Sequence, residues 1–133
     1  MPPTVNASPT RCDDAPPPYG TVVFDCDSTL SAIEGVDELG EITGVGREAI
    51  AALTERAMAG ALPLEQVYGQ RLALLEPDRA AVEELGRRYV SAALPHAREL
   101  TQALLALGKR VFILSGGVSQ AVQALAHHVG LPL

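Results

Sequence analysis

Two short apolar runs, separated by a long stretch of helical pattern, constrain the fold of this chain more than any other feature. The first run, Thr21 to Phe24, has no alternation of apolar and polar residues, and the second, Arg110 to Leu114, is also rich in large apolar side chains. Such runs are typical of strands that are buried on both faces. Two strands joined through helices form a crossover connection, so the sequence predicts an α/β fold with a parallel sheet.

Six helical segments are predicted between and after the two strands. They cover residues 36–43, 47–58, 64–75, 78–90, 96–107 and 118–129. Glycine and proline mark the breaks, with Gly44 and Gly46 after the first segment and Pro77 before the fourth. The first four helices are more than one crossover needs, and we therefore expect them to form a separate lid over the carboxyl edge of the sheet.

The resulting division of the chain has three parts. Residues 20–30 and 94–133 would form the α/β core, and residues 31–93 the helical lid. Residues 1–19 are rich in proline and lack an apolar run, so we expect a flexible leader outside the fold. A polyproline ligand for a partner protein is the alternative interpretation of this leader.

Composition and charge argue against several classes of protein. The net charge of −6 and the lack of a basic run disfavour binding to nucleic acid or to an anionic membrane surface. The longest apolar stretches have the length of strands and are too short to span a membrane. Two cysteines are too few for a disulfide framework. We therefore expect a soluble protein of the reducing cytoplasm.

Two aspartates follow the first predicted strand at once. Asp25 and Asp27 can project into one crevice if the chain turns there, because ligands of parallel sheets gather at the carboxyl ends of the strands. One carboxylate can serve as nucleophile or metal ligand and the other as proton donor, a division that suits phosphoryl transfer. The negative phosphate would then need Mg²⁺ as a counter-charge. The plainer alternative is that both aspartates only cap the strand end.

A small hydroxyl residue and two glycines follow the second predicted strand. Ser115, Gly116 and Gly117 precede a predicted helix. A hydroxyl and unobstructed backbone N–H groups near the positive end of a helix form a candidate phosphate cradle. A plain turn is the alternative interpretation, and it would carry equal weight if the aspartate pair were missing.

Five segments together resemble one known group of proteins. The run Asp25 to Thr29 is similar to the first signature of the haloacid dehalogenase superfamily, and Ser115 to Gly117 is similar to its second. Residues 34–39, 56–60 and 70–74 resemble the lid of the phosphoserine phosphatase family within that superfamily. The resemblance covers nearly all of residues 21–133, and it implies a partial haloacid dehalogenase-like parallel sheet with a four-helix lid inserted after the first strand.

The resemblance also implies catalytic roles. Asp25 would be the nucleophile that becomes an aspartyl phosphate, and its carboxylate would bind Mg²⁺. Asp27 would protonate the leaving serine oxygen and then deprotonate the hydrolytic water, while its backbone carbonyl binds the same ion. Ser115 and the backbone of Gly116 and Gly117 would hold the phosphate. The implied reaction is the hydrolysis of O-phospho-L-serine to serine and phosphate, the last step of serine biosynthesis.

Four positions of the lid would bind the rest of the substrate. Glu34 would meet the ammonium group and Arg71 would clamp the carboxylate, because a zwitterionic head group needs one anion and one fork-shaped cation. Met58 and Gly60 would line the closed lid. Spacing alone would make Glu34 and Arg71 ordinary solvated helix charges, and Met58 a packing residue as readily as a lining one.

Members of this family continue into further strands that complete the site with a lysine and an acidic pair. This chain has Lys109 as its only lysine and no acidic residue after Glu99. We therefore expect the chain alone to be a poor phosphatase, with a missing carboxyl-terminal half or a second copy of the chain as its partner. The alternative function is a catalytically silent fragment that binds an amino-acid phosphate or complements a second polypeptide.

Overall fold

The computed structural model describes residues 19–131, which form two strands and six helices. In chain order these are β1 (Thr21–Phe24), α1 (Gly35–Thr43), α2 (Arg47–Met58), α3 (Leu64–Leu75), α4 (Arg79–Ser91), α5 (Ala97–Ala106), β2 (Arg110–Ile113) and α6 (Ser119–His128). The predicted α/β class is confirmed. The predicted leader, apart from Tyr19, and residues 132–133 lie outside the described residues. None of the helices within 19–131 is long and apolar enough to cross a membrane.

The helix boundaries agree with the sequence predictions to within one residue. Helices α2 and α3 begin and end where they are predicted to. Where a prediction is one residue too long, the extra residue is a cap, as Val118 and Val129 are for α6. Asp78, the predicted first residue of α4, is also a cap, and its Oδ1 accepts a 2.7 Å hydrogen bond from the N–H of Ala81. Capping side chains of this kind satisfy backbone donors that the first turn of a helix leaves open.

Strands β1 and β2 pair in parallel, as predicted, with Val22 beside Val111 and Val23 beside Phe112. Successive side chains of a strand point to opposite faces, so Val23 and Phe112 share the face that Val111 does not. Val111 is buried in the core, whereas Val23 and Phe112 are 55% and 51% exposed. The expectation that both faces of the sheet are buried is therefore wrong. Within residues 19–131, the face with Val111 is covered and the face with Val23 and Phe112 is open.

Helix α4 makes the most extensive helix–helix contact of the described residues, and its partner is α6. A Cβ atom added to Gly86 would lie only 3.1 Å from the Cβ atom of Ala124, so the two helices meet as closely as small residues allow. Leu85 of α4 and Leu125 of α6 are buried in the same core cluster. Helix α4 is therefore fixed to the core as well as to its neighbours in the predicted lid.

The other helices of the predicted lid pack on one another. Helix α1 contacts α2, α3 and α4, and α2 contacts α3. An ion pair adds to the contact between α1 and α4, where Arg88 Nη1 lies 2.7 Å from Glu38 Oε2. The division of the chain into lid and core stays a prediction, since α4 packs against both parts.

Candidate active site

The parallel pairing brings the loops after β1 and β2 to the same edge of the sheet. The N–H of Leu114 donates a 2.9 Å hydrogen bond to the carbonyl of Phe24, so the pairing continues to the last residue of β1. Asp25 follows on one strand and Ser115 on the other. The two signature segments, which are far apart in the sequence, therefore begin side by side.

The loop after β1 is wound around the carbonyl of Cys26. That oxygen accepts hydrogen bonds from the N–H groups of Thr29, Leu30 and Ser31 over 3.3, 3.0 and 3.1 Å. Cys26 is fully buried, whereas Asp25 on one side of it is exposed. The buried thiol anchors the loop in the core and leaves the neighbouring carboxylate accessible to a ligand.

Both carboxylate oxygens of Asp27 accept hydrogen bonds. The hydroxyl of Tyr89 donates to Oδ1 over 2.5 Å, and the backbone N–H of Gly35 donates to Oδ2 over 3.3 Å. Tyr89 is absent from the residues predicted to form the site. A tyrosine on the apolar face of α4, four residues after the buried Leu85, is nevertheless a signal, because a buried tyrosine hydroxyl needs a hydrogen-bond partner.

Burial changes the acidity of Cys26 in this loop and of Tyr89, which contacts the loop from α4. Burial first, and then the charge of Asp27, raises the pKa of the Cys26 thiol to about 12. The thiol stays protonated at neutral pH and does not compete with the carboxylates as a nucleophile. Burial also raises the pKa of Tyr89, and its hydrogen bond to Asp27 adds to the effect, so the hydroxyl remains a donor.

The loop after β2 is open at Gly116 and closely packed at Gly117. The N–H of Gly117 donates a 3.0 Å hydrogen bond to Ser115 Oγ. A Cβ atom at Gly117 would lie 3.2 Å from Ser115 Oγ, whereas one at Gly116 would meet no atom within 4 Å. Val118, which precedes α6, makes no side-chain cap hydrogen bond to that helix. Backbone N–H groups without a capping side chain suit an anion such as phosphate.

A cavity of about 630 Å³ lies between this loop and helices α2 and α3. Its lining consists of Thr54, Ala57, Met58, Val67, Tyr68, Arg71, Ser115, Gly116 and Gly117. The cavity therefore brings together five of the residues that the resemblance predicts for substrate binding. Thr54 and Tyr68 were not predicted, and no pattern in the sequence marks them.

Arg71 lines this cavity, and one of its donors has no hydrogen-bond partner. Its Nη2 donates a 2.6 Å hydrogen bond to Thr54 Oγ1, which holds the guanidinium group against α2. Its Nε is buried and has no hydrogen-bond partner in the described structure. A buried donor without a partner carries a desolvation cost that an incoming acceptor would remove.

Four predicted site residues do not line this cavity: Asp25, Asp27, Glu34 and Gly60. Glu34 lies before α1, where its Oε1 accepts a 2.6 Å hydrogen bond from the hydroxyl of Ser28, the residue after Asp27. Gly60 is exposed after α2, with a φ of 73° and open space around it. Glu34 is therefore grouped with the aspartate loop, while Met58 and Arg71 are grouped with the loop after β2.

Two residues of the described chain, Asp25 and Asp27, are candidate ligands for a metal ion. Within residues 19–131, no three His, Cys, Asp or Glu side chains gather closely enough to hold a metal ion. Mg²⁺ usually takes one or two carboxylates and completes its shell with substrate phosphate and water. Asp25 and Asp27 fit that pattern in number and in chemical type.

The order of the elements and the placement of both signatures at one sheet edge agree with the resemblance seen in the sequence. The profile of the haloacid dehalogenase-like hydrolases matches residues 19–132. The chain belongs to the haloacid dehalogenase-like hydrolases. Family membership and the parallel β1–β2 pair confirm the predicted partial haloacid dehalogenase-like fold.

Phosphoserine phosphatases are among the curated relatives that this chain matches. The mouse phosphoserine phosphatase is 40% identical over 111 residues, which make up 84% of this chain and 49% of the relative. The chloroplastic phosphoserine phosphatase of Arabidopsis thaliana is 39% identical over 84% of this chain and 37% of its own length. The chain spans about half the length of the relatives that it matches, or less.

Solved structures also match most of this chain over about half of their own length. A phosphoserine phosphohydrolase-like protein from Francisella tularensis superimposes with a TM-score of 0.69 and 27% identity, over 86% of this chain and 55% of that one. A substrate-bound phosphoserine phosphatase complex superimposes with a TM-score of 0.66 and 30% identity, over 85% of this chain and 53% of that one. The haloacid dehalogenase-like fold of these proteins thus extends over nearly all the described residues.

Proposed function

We propose that this chain is the part of a cytoplasmic phosphoserine phosphatase that carries the nucleophile, the proton donor and the substrate-binding lid. The observation that carries the proposal is that Arg71, whose buried Nε has no hydrogen-bond partner, lines the same cavity as Ser115, Gly116 and Gly117. A ligand with a carboxylate at one end and a phosphate at the other would satisfy both groups. The phosphoserine phosphatases among the relatives support the same substrate.

The chemistry divides between the two aspartates. The Asp25 carboxylate attacks phosphorus and forms a new oxygen–phosphorus bond, while the bond from phosphorus to the serine oxygen breaks. Asp27 gives its proton to that serine oxygen, so serine leaves as the neutral alcohol. Water then attacks the aspartyl phosphate, Asp27 takes the water's proton, and the Asp25 carboxylate is restored as phosphate leaves. When bound, Mg²⁺ supplies positive charge that offsets the charge of the phosphate.

The remaining predicted residues bind substrate. Ser115 Oγ and the backbone N–H groups of Gly116 and Gly117 would hold the phosphate oxygens, with the Gly117 N–H giving up its present hydrogen bond to Ser115 Oγ. Arg71 would clamp the carboxylate with its guanidinium fork, and its present partner Thr54 would keep that fork in place. In this proposal Glu34 gives up its hydrogen bond to Ser28 and meets the substrate ammonium. Met58 and Gly60, on the rim of the lid, would close over the bound molecule.

Asp25 and Asp27 would hold Mg²⁺, Asp25 through its carboxylate and Asp27 through its backbone carbonyl. Two protein ligands leave this ion mostly hydrated, so a carboxyl-terminal half or a second copy of the chain would have to complete the site. The share of the relatives that the chain spans supports the first of these partners. In this arrangement residues 31–93 form the lid and residues 20–30 and 94–133 the partial core.

A second function is a silent fragment that binds an amino-acid phosphate without hydrolysing it, or that complements a second polypeptide. It is favoured by the lack of a three-ligand metal cluster within residues 19–131. Lys109 gives no compensating charge, because it directly precedes β2 and so lies at the opposite end of that strand from Ser115. The two functions share the substrate-binding residues and differ only in turnover.

The Asp25→Asn substitution separates these functions. We expect it to lower Mg²⁺-dependent phosphate release from O-phosphoserine by at least about 10³-fold, because an amide is a poor nucleophile. The assay uses the shortest polypeptide containing residues 1–133 that releases phosphate, and calorimetry measures O-phosphoserine binding to the same variant. Asp78→Asn is the matched control, since asparagine caps α4 as well as aspartate does.

Wild-type turnover in the Asp25→Asn variant would exclude Asp25 as the nucleophile. Binding of O-phosphoserine by a wild-type chain that releases no phosphate in any polypeptide would favour the silent fragment instead. A chain that neither binds nor hydrolyses O-phosphoserine would contradict both functions.

A further inference from the structure

Tyr89 holds the loop after β1 at two points. Its hydroxyl donates to Oδ1 of Asp27 over 2.5 Å, and its backbone carbonyl accepts a 3.0 Å hydrogen bond from Ser31 Oγ. Tyr89 and Ser31 are both fully buried. The aspartate loop is therefore tied to α4 at two of its residues, Asp27 and Ser31.

The hydroxyl of Tyr89 also lies where two other segments of the site converge. A Cβ atom at Gly35, the first residue of α1, would lie 1.8 Å from that oxygen, and one at Gly117 would lie 3.3 Å from it. A contact of 1.8 Å is impossible, so glycine at position 35 makes room for the hydroxyl. The hydroxyl of Tyr89 thus lies next to three parts of the site: Asp27, the start of α1, and the loop that would bind phosphate.

The position of Tyr89 is set by the core of the protein and not by the loops that it touches. Tyr89 follows Leu85 by one helical turn, and Leu85 is 1% exposed in the core cluster shared with α6. The close approach of Gly86 to Ala124 fixes α4 against α6 at the same level. A side chain on so firmly packed a helix has little freedom to move with the loop.

We propose that Tyr89 is a positioning residue, whose hydroxyl fixes the side chain of Asp27 in one rotamer for proton transfer to and from the reacting oxygen. An aspartate that is held at one oxygen only by a 3.3 Å bond from Gly35 could exchange between rotamers, and the hydroxyl of Tyr89 removes that freedom. Hydrogen bonds to a carboxylate are short and strong, and small displacements of a reacting group reduce rates severely. The catalytic consequence rests on the proposed function, whereas the fixed rotamer does not.

The first experiment compares two substrates in the Tyr89→Phe variant. Phenylalanine keeps the buried ring and removes only the donor. We expect kcat/KM for O-phosphoserine to fall at least about tenfold, because an alkoxide leaving group needs a well-placed proton. We expect kcat/KM for p-nitrophenyl phosphate to change less than about threefold, because its leaving group is a stable anion. Tyr19→Phe removes the hydroxyl of a tyrosine that is 73% exposed and serves as the control.

A purely structural role for Tyr89 would lower both rates in parallel, and that result would overturn the proposal. Unchanged kinetics for O-phosphoserine would overturn it as well. The assay uses the same active polypeptide as the test of Asp25, so a protein that hydrolyses neither substrate contradicts the proposed function and leaves the decision on Tyr89 to the second experiment.

The second experiment measures the rotamer of Asp27 without any turnover. Three-bond NMR couplings from the backbone nitrogen and carbonyl carbon of Asp27 to its Cγ report the χ1 angle in the 133-residue chain. We expect couplings of a single rotamer in the wild type and averaged couplings in Tyr89→Phe, with unchanged amide shifts in α6. Averaged couplings in the wild type, or a single rotamer retained in Tyr89→Phe, would overturn the proposal. Averaged couplings in the wild type would overturn the proposal even if the variant does not fold.

Discussion

Helices α4 and α2 have nearly the same length, but different forces hold them in place. Helix α4 has four buried residues, Ala81, Leu85, Gly86 and Tyr89, whereas α2 has only Ile50. The start of α2 is tied to α1 through Arg47, which is 52% exposed and reaches Glu38 and Glu41 over 2.8 and 2.6 Å. Core packing therefore fixes α4, and a surface ion-pair network contributes to the placement of α2.

This difference in packing agrees with the role that we propose for each helix. Tyr89 on α4 meets the proposed proton donor, which must be aligned to within a fraction of an ångström. Met58 on α2, which is 82% exposed, and Arg71 on the adjoining α3 line the cavity that the proposed substrate would enter and leave. We infer that alignment for the reaction depends on the packed part of the lid, and substrate selection on its more exposed part.

The largest effect that we expect from this comparison is on stability. Leu85→Ala in α4 should lower the free energy of unfolding by about 2.7–5.0 kcal/mol, because it opens a cavity in a close-packed core. Met58→Ala in α2 should change it by less than about 0.5 kcal/mol, because that side chain is mostly in water. Urea unfolding of both variants measures the difference. Similar losses for the two variants would show that α2 is held by packing as α4 is.

The next effect concerns substrate selection. Arg71→Ala should lower kcat/KM for O-phosphoserine by a factor equivalent to at least about 2 kcal/mol, because the substrate carboxylate would be left buried and unpaired. O-phosphoethanolamine has no carboxylate and should be affected far less. Arg79→Ala is the control, since Arg79 is 92% exposed, forms its ion pair with Glu83 and does not line the cavity. Equal losses for both substrates would refute the carboxylate clamp.

The smallest effect is the pH dependence of the ion pairs on α1. The hydrogen bond from Arg47 lowers the pKa of Glu41 below its usual 4.5. A carboxyl group with a lowered pKa in the folded state stabilises the protein fully above its unfolded value, and the contribution disappears as the pH falls through the folded value. Urea unfolding between pH 7 and pH 3 should therefore show a shallower acid loss in Arg47→Gln than in the wild type. High salt should make the acid loss of the wild type shallower as well. Identical pH profiles for the wild type and Arg47→Gln would show that this ion pair does not contribute to stability.

The elements could be predicted from the sequence because their boundaries have local causes. Gly46 and Pro63 precede α2 and α3, and Asp78 caps α4 through its own side chain. His96 is the residue at which α5 begins its first turn. Its φ of 65° lies in the left-handed region that glycine enters without strain.

The partners of the site residues could not be predicted, because they come from distant segments. No local pattern shows that Tyr89 donates to Asp27 or that Thr54 holds Arg71. The open face of the sheet was missed for a related reason. An apolar strand has the same sequence whether one face or both are covered, so Val23 does not reveal how much of the fold surrounds it.

The parallel pairing of β1 and β2 has a consequence for the order in which the molecule assembles. It joins Thr21 to Arg110, near the two ends of the described residues, whereas the contacts of α1 with α2 and of α2 with α3 join helices that are adjacent in the chain. Contacts between residues that are distant in sequence form late, because the chain must lose the entropy of closing a long loop before the contact can stabilise it. The helices of the lid can therefore associate early, while the loop with Asp25 and the loop with Ser115 meet only when the sheet closes. In a folding chain, the helices proposed to select the substrate would therefore assemble before the proposed phosphate site is formed.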